Sequence, residues 1–580
     1  MDRDWKLFPH SVITDVPLQD NNYQANLITV DQIRGWIEDC YMHHSECCTE
    51  DAQDSLQQLR VIDCGSKTVV LAPVGCQYVA LSYVWGQLND AFDDLQDPPK
   101  TIADSFHITR LLGYKYLWID RFVSWCHLPV YSTILTTKCI NQNDHIDKHR
   151  QVRQMGDIYS AAQVTLVVAA GSDASYGLPG VMSKPRFVPK AEKIGTTWLK
   201  LLPRRIKLAE VAESKWASRG WTFQEFYRSR RRLIFTEHQV IFMCNSQIRY
   251  EIALSGINWP GPDSPSTEDG YWARRWLPHC GVAKDLKSIW TAIDRAAGHL
   301  QAYSNRNLTY DSDSLDAIAG ALDSLRKDSV HHIWGALFRH TAPRAKANQH
   351  SVLGRTQQTD MALTWYHQKR ARRRPGFPSW SSLGWEGPII WHRWWFDEKE
   401  SPIVLSNARR ARLHFPASCC DLLNFDPAQQ ESIDSTPPRL ELTLRTAKLD
   451  LVIYGNQSHE VELELSAHYK YALIPDWDAD PISLSAKSLV GALLHGWGGK
   501  NLEAFVLVLA PCGDVLARVG LVHLPRSRDL LRVDHVRNGS LPIHGYSDRK
   551  AANEFLQSYS SDYGAWWKNI FGDYRTITIG

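Results

Sequence analysis

Three short apolar segments, separated by helical patterns, decide what the first half of this 580-residue chain can become. Gln77-Tyr-Val-Ala-Leu-Ser-Tyr-Val84 is rich in aromatic and β-branched residues and stops at Trp85-Gly86, which reads as a strand ending in a glycine turn. Tyr116-Leu-Trp-Ile-Asp120 is a short apolar run closed by an acid, and Val164 to Ala170 reads as a buried strand. Thr101 to Leu112 is helix-like. Asp144 to Ala162 sets Val152, Met155, Ile158 and Tyr159 at three- and four-residue spacing, one apolar face of a helix. This alternation predicts an α/β domain with a parallel sheet covered by helices. Ligands of such sheets sit beyond the carboxyl ends of the strands, which nominates Ser82, Trp85, Gly86 and Asp120. Trp85-Gly86 either shapes the turn or stacks on a ligand ring. Asp120, with Gln142 and Asp144 on the next loop, either lines a pocket or caps a helix.

The rest of the chain divides around that domain. Residues 24 to 50 read as an amphipathic helix built on Leu27, Ile28, Ile33, Trp36 and Ile37, so 1–75 forms a lead-in and 76–235 the α/β domain. From Asp285 to Leu337 the pattern is helical, with Ile289, Trp290, Ile293, Leu315, Ile318, Leu322 and Leu325 as core positions, which makes 236–345 a helical middle region. The basic run His367 to Arg374 marks 346–374 as a linker or exposed loop. Residues 375–580 break into short alternating segments, among them Leu440–Leu444, Leu449–Tyr454, Val461–Leu465, Phe505–Ala510 and Val515–Val522, and read as a β-rich C-terminal domain.

Bulk properties narrow the function. The formal charge of +2 offers no general attraction for nucleic acid or an anionic membrane. The longest apolar run, Val164 to Ala170, is far short of the roughly 20 residues of a membrane helix, and Met1 to Asp20 lacks the apolar core of a signal peptide. A cytoplasmic protein is expected, with no membrane and no specific nucleic acid as partner. Lys369-Arg-Ala-Arg-Arg-Arg374 reads as a nuclear-entry signal, an anionic-partner patch or a solvated loop. Ser82 lacks the glycines of a nucleophile elbow, and no glycine-rich loop is built to cradle phosphates. The twelve cysteines form no secreted-type framework. Cys40, His43, His44, Cys47 and Cys48 offer zinc-type ligands at helical spacing, but no matching second half is evident, so the sequence assigns no metal site.

Several phrases together resemble one family. Tyr78-Val-Ala-Leu-Ser-Tyr-Val-Trp-Gly86 is similar to the opening block of fungal heterokaryon-incompatibility (HET) domains. Tyr116-Leu-Trp-Ile-Asp120 with Cys139-Ile-Asn-Gln142, Asp144, Gln151-Val152, Met155 and Ile158-Tyr159 resembles the second block, and Trp216-Ala-Ser-Arg-Gly-Trp-Thr-Phe-Gln-Glu225 the third. Tyr303 to Gly320, Ile333 to Leu337 and Pro378 to Ser382 are weaker echoes of long members. The family pattern places two residues between the acid of the Leu-Trp-Ile-Asp block and the Cys-Ile block, where this chain has eighteen. Removing Val123 to Lys138 restores the family spacing, and the segment has the look of a translated intron. The other reading is a surface insertion, which loops tolerate at modest entropic cost; mature transcripts that uniformly keep these codons would sink the intron reading.

The resemblance implies a self/non-self recognition protein that triggers regulated cell death, with protein partners in incompatibility signalling and self-association. It also implies a TIR-like, flavodoxin-like α/β fold, several members of which cleave NAD at the nicotinamide glycosidic bond. In catalytic TIR domains a Trp precedes the catalytic Glu by four positions, as Trp221 precedes Glu225 here. Such a carboxylate stabilises an oxocarbenium-like sugar or holds the ribose hydroxyls. On this reading NAD is a substrate and no cofactor is required. Two alternatives stand beside the signalling role: an NAD glycohydrolase activated by oligomerisation, and a non-catalytic scaffold. Glu225 also reads as a surface residue paired with Arg219 or with Arg230 to Arg232, and Trp216 and Trp221 as core aromatics.

Overall fold

A computed structural model describes residues 5–9, 28–48, 56, 58–86, 95–120, 145–182, 184, 186, 191–194, 197–203, 208–251, 289–328, 330–339, 363–367, 371–391, 404–406, 410–415, 419–421, 437–453, 461–464, 470–475, 488–497, 504–524 and 573–580. The chain divides into two compact units. One comprises Met1–Lys287, Arg306–Thr309 and Asp316–Ala321; the other comprises Ser288–Asn305, Tyr310–Leu315 and Leu322–Gly580.

The strands of the first unit are β1 (Trp5–Pro9), β2 (Arg60–Asp63), β3 (Thr68–Leu71), β4 (Tyr78–Ser82), β5 (Tyr116–Ile119), β6 (Val164–Val168), β7 (Ala191–Ile194), β8 (Thr197–Pro203), β9 (Arg231–Phe235), β10 (Val240–Cys244) and β11 (Ile248–Tyr250). Its helices are α1 (Val30–His43), α2 (Ser45–Cys48), α3 (Lys100–Leu111), α4 (His145–Ala161), α5 (Leu208–Ala212) and α6 (Thr222–Arg228). Eight strands form one sheet in the order β11-β10-β9-β6-β4-β5-β2-β3, and β1-β8-β7 make a small second sheet.

The expected parallel sheet is present as the centre of a mixed one. β5, β4, β6 and β9 run parallel, whereas β2–β3 and β10–β11 add antiparallel pairs at the two sides. The cause lies in the connections. A parallel return needs a crossover of a dozen or more residues, and only a short turn over Thr236–Gln239, closed by Thr236 N–H to Gln239 O at 3.1 Å, joins β9 to β10. Numbered along the chain, the four parallel strands lie in the order second, first, third, fourth, so the connections change direction between β4 and β6.

Burial follows from that layering. β4, β6, β9 and β10 are buried at every position, the pattern of strands covered on both faces. α1 buries Ile33, Trp36, Ile37 and Cys40 at three- and four-residue steps, and Trp36 lies 6.2 Å from the Phe242 ring on β10. Behind β5, Trp118 meets Tyr159 of α4 edge to face at 5.3 Å, a pairing that adds about 1 kcal/mol to the burial of both rings.

In the second unit the helical region is narrower than the sequence reading of 236–345. Helix α7 (Ile289–Tyr303), the helix Asp316–Asp323 that buries the expected Ile318 and Leu322, and short 3-10 turns at Asp311–Ser314 and Ser324–Asp328 are helical. Val330–Ile333 and Ala336–Arg339 instead form a hairpin. Its turn residues Trp334 and Gly335 both have positive φ, 51° and 83°, as a two-residue hairpin turn matching strand twist requires. At its other end, 236–345 begins with β10 and β11, which belong to the first sheet.

The described part of the basic run is built into the fold. Arg372–Arg373 pair with Trp385–Glu386 as strands. Arg372 bridges Asp311 and Glu386, and buried Arg374 donates to the carbonyls of Leu383 and Trp385. Lys369 and Arg370 lie outside the described residues.

The C-terminal region is β-rich, as expected, and includes a small barrel. The 15-residue strand Arg439–Ile453, which the sequence reading divides in two, pairs through Thr446–Leu449 with Leu489–Trp497 and through Asp450–Ile453 with Val461–Glu464. From Val461–Glu464 the ladder continues through Lys470–Pro475, Val515–Leu524 and Ala504–Cys512 back to Leu489–Trp497, closing a ring. Leu449, Leu489, Leu493, Phe505, Leu507 and Leu521 are fully buried in this unit. Among the described residues no helix is long and apolar enough to cross a membrane.

Candidate functional site

The reversal between β4 and β6 is where an open α/β sheet leaves a crevice at its carboxyl edge, and Ser82 closes β4 at that edge. Its hydroxyl donates to Glu225 Oε2 at 2.5 Å and accepts from Trp216 Nε1 at 2.7 Å. Glu225 stands in the first turn of α6, with its backbone N–H on the Trp221 carbonyl at 3.4 Å. Tyr159 of α4 donates to the Leu81 carbonyl at 3.1 Å and also hydrogen-bonds Glu225. Ser82, Trp216, Tyr159 and Glu225 are all buried, Glu225 to 4% exposure. Three stretches distant in sequence thus converge on one carboxyl.

A second layer is partly exposed. Trp85 donates its indole N–H to Asp120, just past β5, at 3.2 Å. The Arg219 guanidinium lies 5.3 Å over the Trp85 ring and donates to the Tyr83 carbonyl at 2.8 Å. Gly86 turns the chain with φ +80°, and a Cβ there would come within 2.4 Å of Asp173 Cβ, so this position needs glycine. That favours the turn-shaping role for Gly86. Trp221, at the N-cap of α6, packs against the main core cluster, as Trp85 does.

The electrostatics single out Glu225. Burial first, and the Asp120 charge second, lift its carboxyl to about 7, against the lowering effects of the Ser82 hydrogen bond, the Arg219 charge and Tyr159. Burial, with Glu225 and Asp120 nearby, also raises the Tyr159 phenol well above its ordinary range. A carboxyl poised near neutrality can donate as an acid or accept as a base at the same pH, and such tuning clusters at functional sites.

Of the residues the sequence nominates, Ser82, Trp85, Asp120 and Glu225 come together, with Gly86 and Trp221 beside them. Gln142 and Asp144 lie outside the described residues. Arg219 influences Glu225 by charge, but Glu225 is buried, not the surface partner of Arg219 that one reading of the sequence makes it. By contrast, Arg230 donates to the carbonyls of Cys48, Ala161 and Ala162, and Arg232 to those of Phe226 and Tyr227. Tyr159 and Trp216 read from sequence only as core residues. A polar tip on an otherwise buried aromatic was the available signal, since such tips need partners.

Comparison with known proteins bears on the same residues. Residues 78–124 and 135–225 match the family described as heterokaryon incompatibility protein (HET). The matched stretch is a HET domain. The matched region opens at Tyr78, the first residue of β4, and ends on Glu225, so it contains every residue of the carboxyl cluster. It leaves out residues 125–134, inside the stretch Val123 to Lys138. Heterokaryon incompatibility protein 6, OR allele, of Neurospora crassa is 25% identical over 267 residues, covering 37% of this chain and 35% of that protein. The match therefore spans about a third of the curated relative's length. No solved structure matches the chain.

Proposed function

We propose that this protein acts in heterokaryon incompatibility, as a self/non-self recognition protein whose HET domain sets off regulated cell death. The observation that carries the reading is the position of Glu225. It is a carboxyl tuned near neutrality, at the strand-order reversal, inside the residues that match the HET family. The parallel order second-first-third-fourth is that of flavodoxin-like sheets and supports a TIR-like reading of the domain. In that reading the reaction is hydrolysis of the nicotinamide glycosidic bond of NAD. Water enters; nicotinamide, ADP-ribose and a proton leave. Glu225 would hold a ribose hydroxyl and, when ionised, oppose the positive charge that builds on the sugar. A carboxyl sealed in the resting chain suits an activity that self-association or a protein partner switches on.

A second reading rests on the same burial. Ser82 and Tyr159 already occupy the Glu225 carboxyl, and only 4% of the residue is exposed. That suits a keystone of a non-catalytic scaffold. The two separate in yeast expressing the full chain, or the form lacking Val123 to Lys138, each with and without Glu225→Gln, while NAD and viability are followed. Toxicity with NAD loss that Glu225→Gln abolishes at equal protein level is the expected result for the enzyme. Toxicity with NAD intact transfers the function to the scaffold, and no toxicity from any form counts against the death-triggering role.

A further inference from the structure

At the opposite end of the sheet from Glu225, the fold completes a ligand set whose second half is not apparent in sequence. Cys40 lies on the last turn of α1, His44 follows that helix, and Cys48 ends α2, so the three recur at four-residue steps. Cys244, two hundred residues after His44, ends β10 and brings its sulfur to 3.4 Å from His44 Nδ1. The ligand atoms of Cys40, His44 and Cys244 all lie within 4.8 Å of one another. The Cys48 thiol stands outside that group of three but close enough to Cys40 and Cys244 to influence both. Tetrahedral zinc, with bonds of about 2.3 Å to sulfur and about 2.0 Å to nitrogen, needs its donors roughly 3.5–4 Å apart. His44 and Cys244 already stand at that spacing, Cys40 lies within 4.8 Å of both, and the Cys48 side chain must turn inward to complete the four.

An independent observation concerns what surrounds the sulfurs. The backbone N–H groups of Ser246 and Gln247 both point at Cys244 Sγ, each at 3.3 Å. Arg231 Nε donates to Cys40 Sγ at 3.2 Å. Donors of this kind stabilise thiolates and orient them as ligands. The charges also balance, because three thiolates with one divalent cation leave a single negative charge, which Arg231 offsets in a buried place. Cys47 is not part of the set, since its thiol lies 3.1 Å from Ser246 Oγ, and His43 is exposed.

We infer that Cys40, His44, Cys48 and Cys244 form a structural zinc site that fastens α1 and α2 to the edge hairpin β10–β11. Four protein ligands leave no open position, so the ion holds structure and takes no part in chemistry. The site stands apart from the function proposed above and from the fate of Glu225.

The test is metal analysis of the purified full chain, first as isolated and then after exchange with cobalt. About one zinc per chain is expected. With cobalt, the absorption of a tetrahedral ion and a thiolate-to-cobalt charge-transfer band should appear. Cys244→Ser should lose the metal and Cys244→His should keep it, a contrast that loss of packing alone would not produce. Cys47→Ser and His43→Ala should bind normally. Should variants aggregate, the wild type alone decides: a mercurial thiol reagent should release zinc in step with thiol titration. Wild-type chain that holds less than about a tenth of an equivalent of zinc, and shows no cobalt–thiolate band, overturns the assignment. So does full occupancy in Cys244→Ser.

Discussion

The two ends of the parallel strands in the first unit collect opposite chemistry. At the carboxyl end, burial of Glu225 first and the like charge of Asp120 second oppose ionisation, and the conflict shows as a carboxyl raised to about 7. At the amino end, Cys40, Cys48 and Cys244 meet Arg231, whose partner on β10 is Cys244 itself. One end stores an electrostatic conflict; the other has the means to resolve one. A buried conflict is tolerated where function needs it, and well-matched groups elsewhere hold the fold together.

The largest effect expected from breaking this contrast is removal of the proposed zinc. Structural zinc contributes folding free energy directly, so stripping it with a strong chelator should lower the melting temperature by ~10 °C or more, which calorimetry of the full chain would show. An unchanged transition would mean that the amino end does not depend on metal.

Next comes Glu225→Gln. The ordinary Glu value is 4.5 and the folded value about 7, so between these pH values the folded state holds a proton that the unfolded state has released. Stability is therefore full below about 4.5 and declines as pH rises through 7, by roughly 3 kcal/mol at most. Urea unfolding at pH 5 and pH 8 should show this decline in the wild type and a flatter response in Glu225→Gln. Equal slopes would place the conflict elsewhere.

Ser82→Ala should have the smallest effect of the three. It removes the oxygen that Trp216 Nε1 and Glu225 share, at a cost of about 1–2 kcal/mol. Because the Ser82 hydrogen bond lowers the Glu225 value, the pH-dependent loss should still begin near 4.5 but continue to higher pH in this variant, detectable in the same unfolding series.

Much of the carboxyl end was readable from sequence because its residues sit at strand ends. Tyr78–Ser82 and Tyr116–Ile119 announce themselves by β-branched and aromatic content, and Ser82, Trp85 and Asp120 follow by position. The amino end was not readable. Cys40, His44 and Cys48 are close in sequence, but Cys244 joins them only because β10 folds back along β9, a pairing that spacing does not encode. The mixed sheet was obscured for a related reason, since β10 is buried at all five positions and continuous burial removes the alternation that marks a strand. The basic run misled because charge suggests solvent, whereas Arg373 and Arg374 spend their donors on backbone carbonyls.

The long strand Arg439–Ile453 of the second unit bears on the order in which the chain matures. The Thr443 hydroxyl meets that of Thr576, 133 positions further on, whereas all strands of the HET sheet lie between Arg60 and Tyr250. Contacts of long sequence separation form late, because the entropy lost in closing the loop comes before the reward. During synthesis the HET sheet can be whole while Leu440–Arg445 still waits for Tyr574–Ile579, the strand that pairs with it beside the ring. A newly made molecule can thus hold a folded first sheet while the last strand pairing of its companion is still missing.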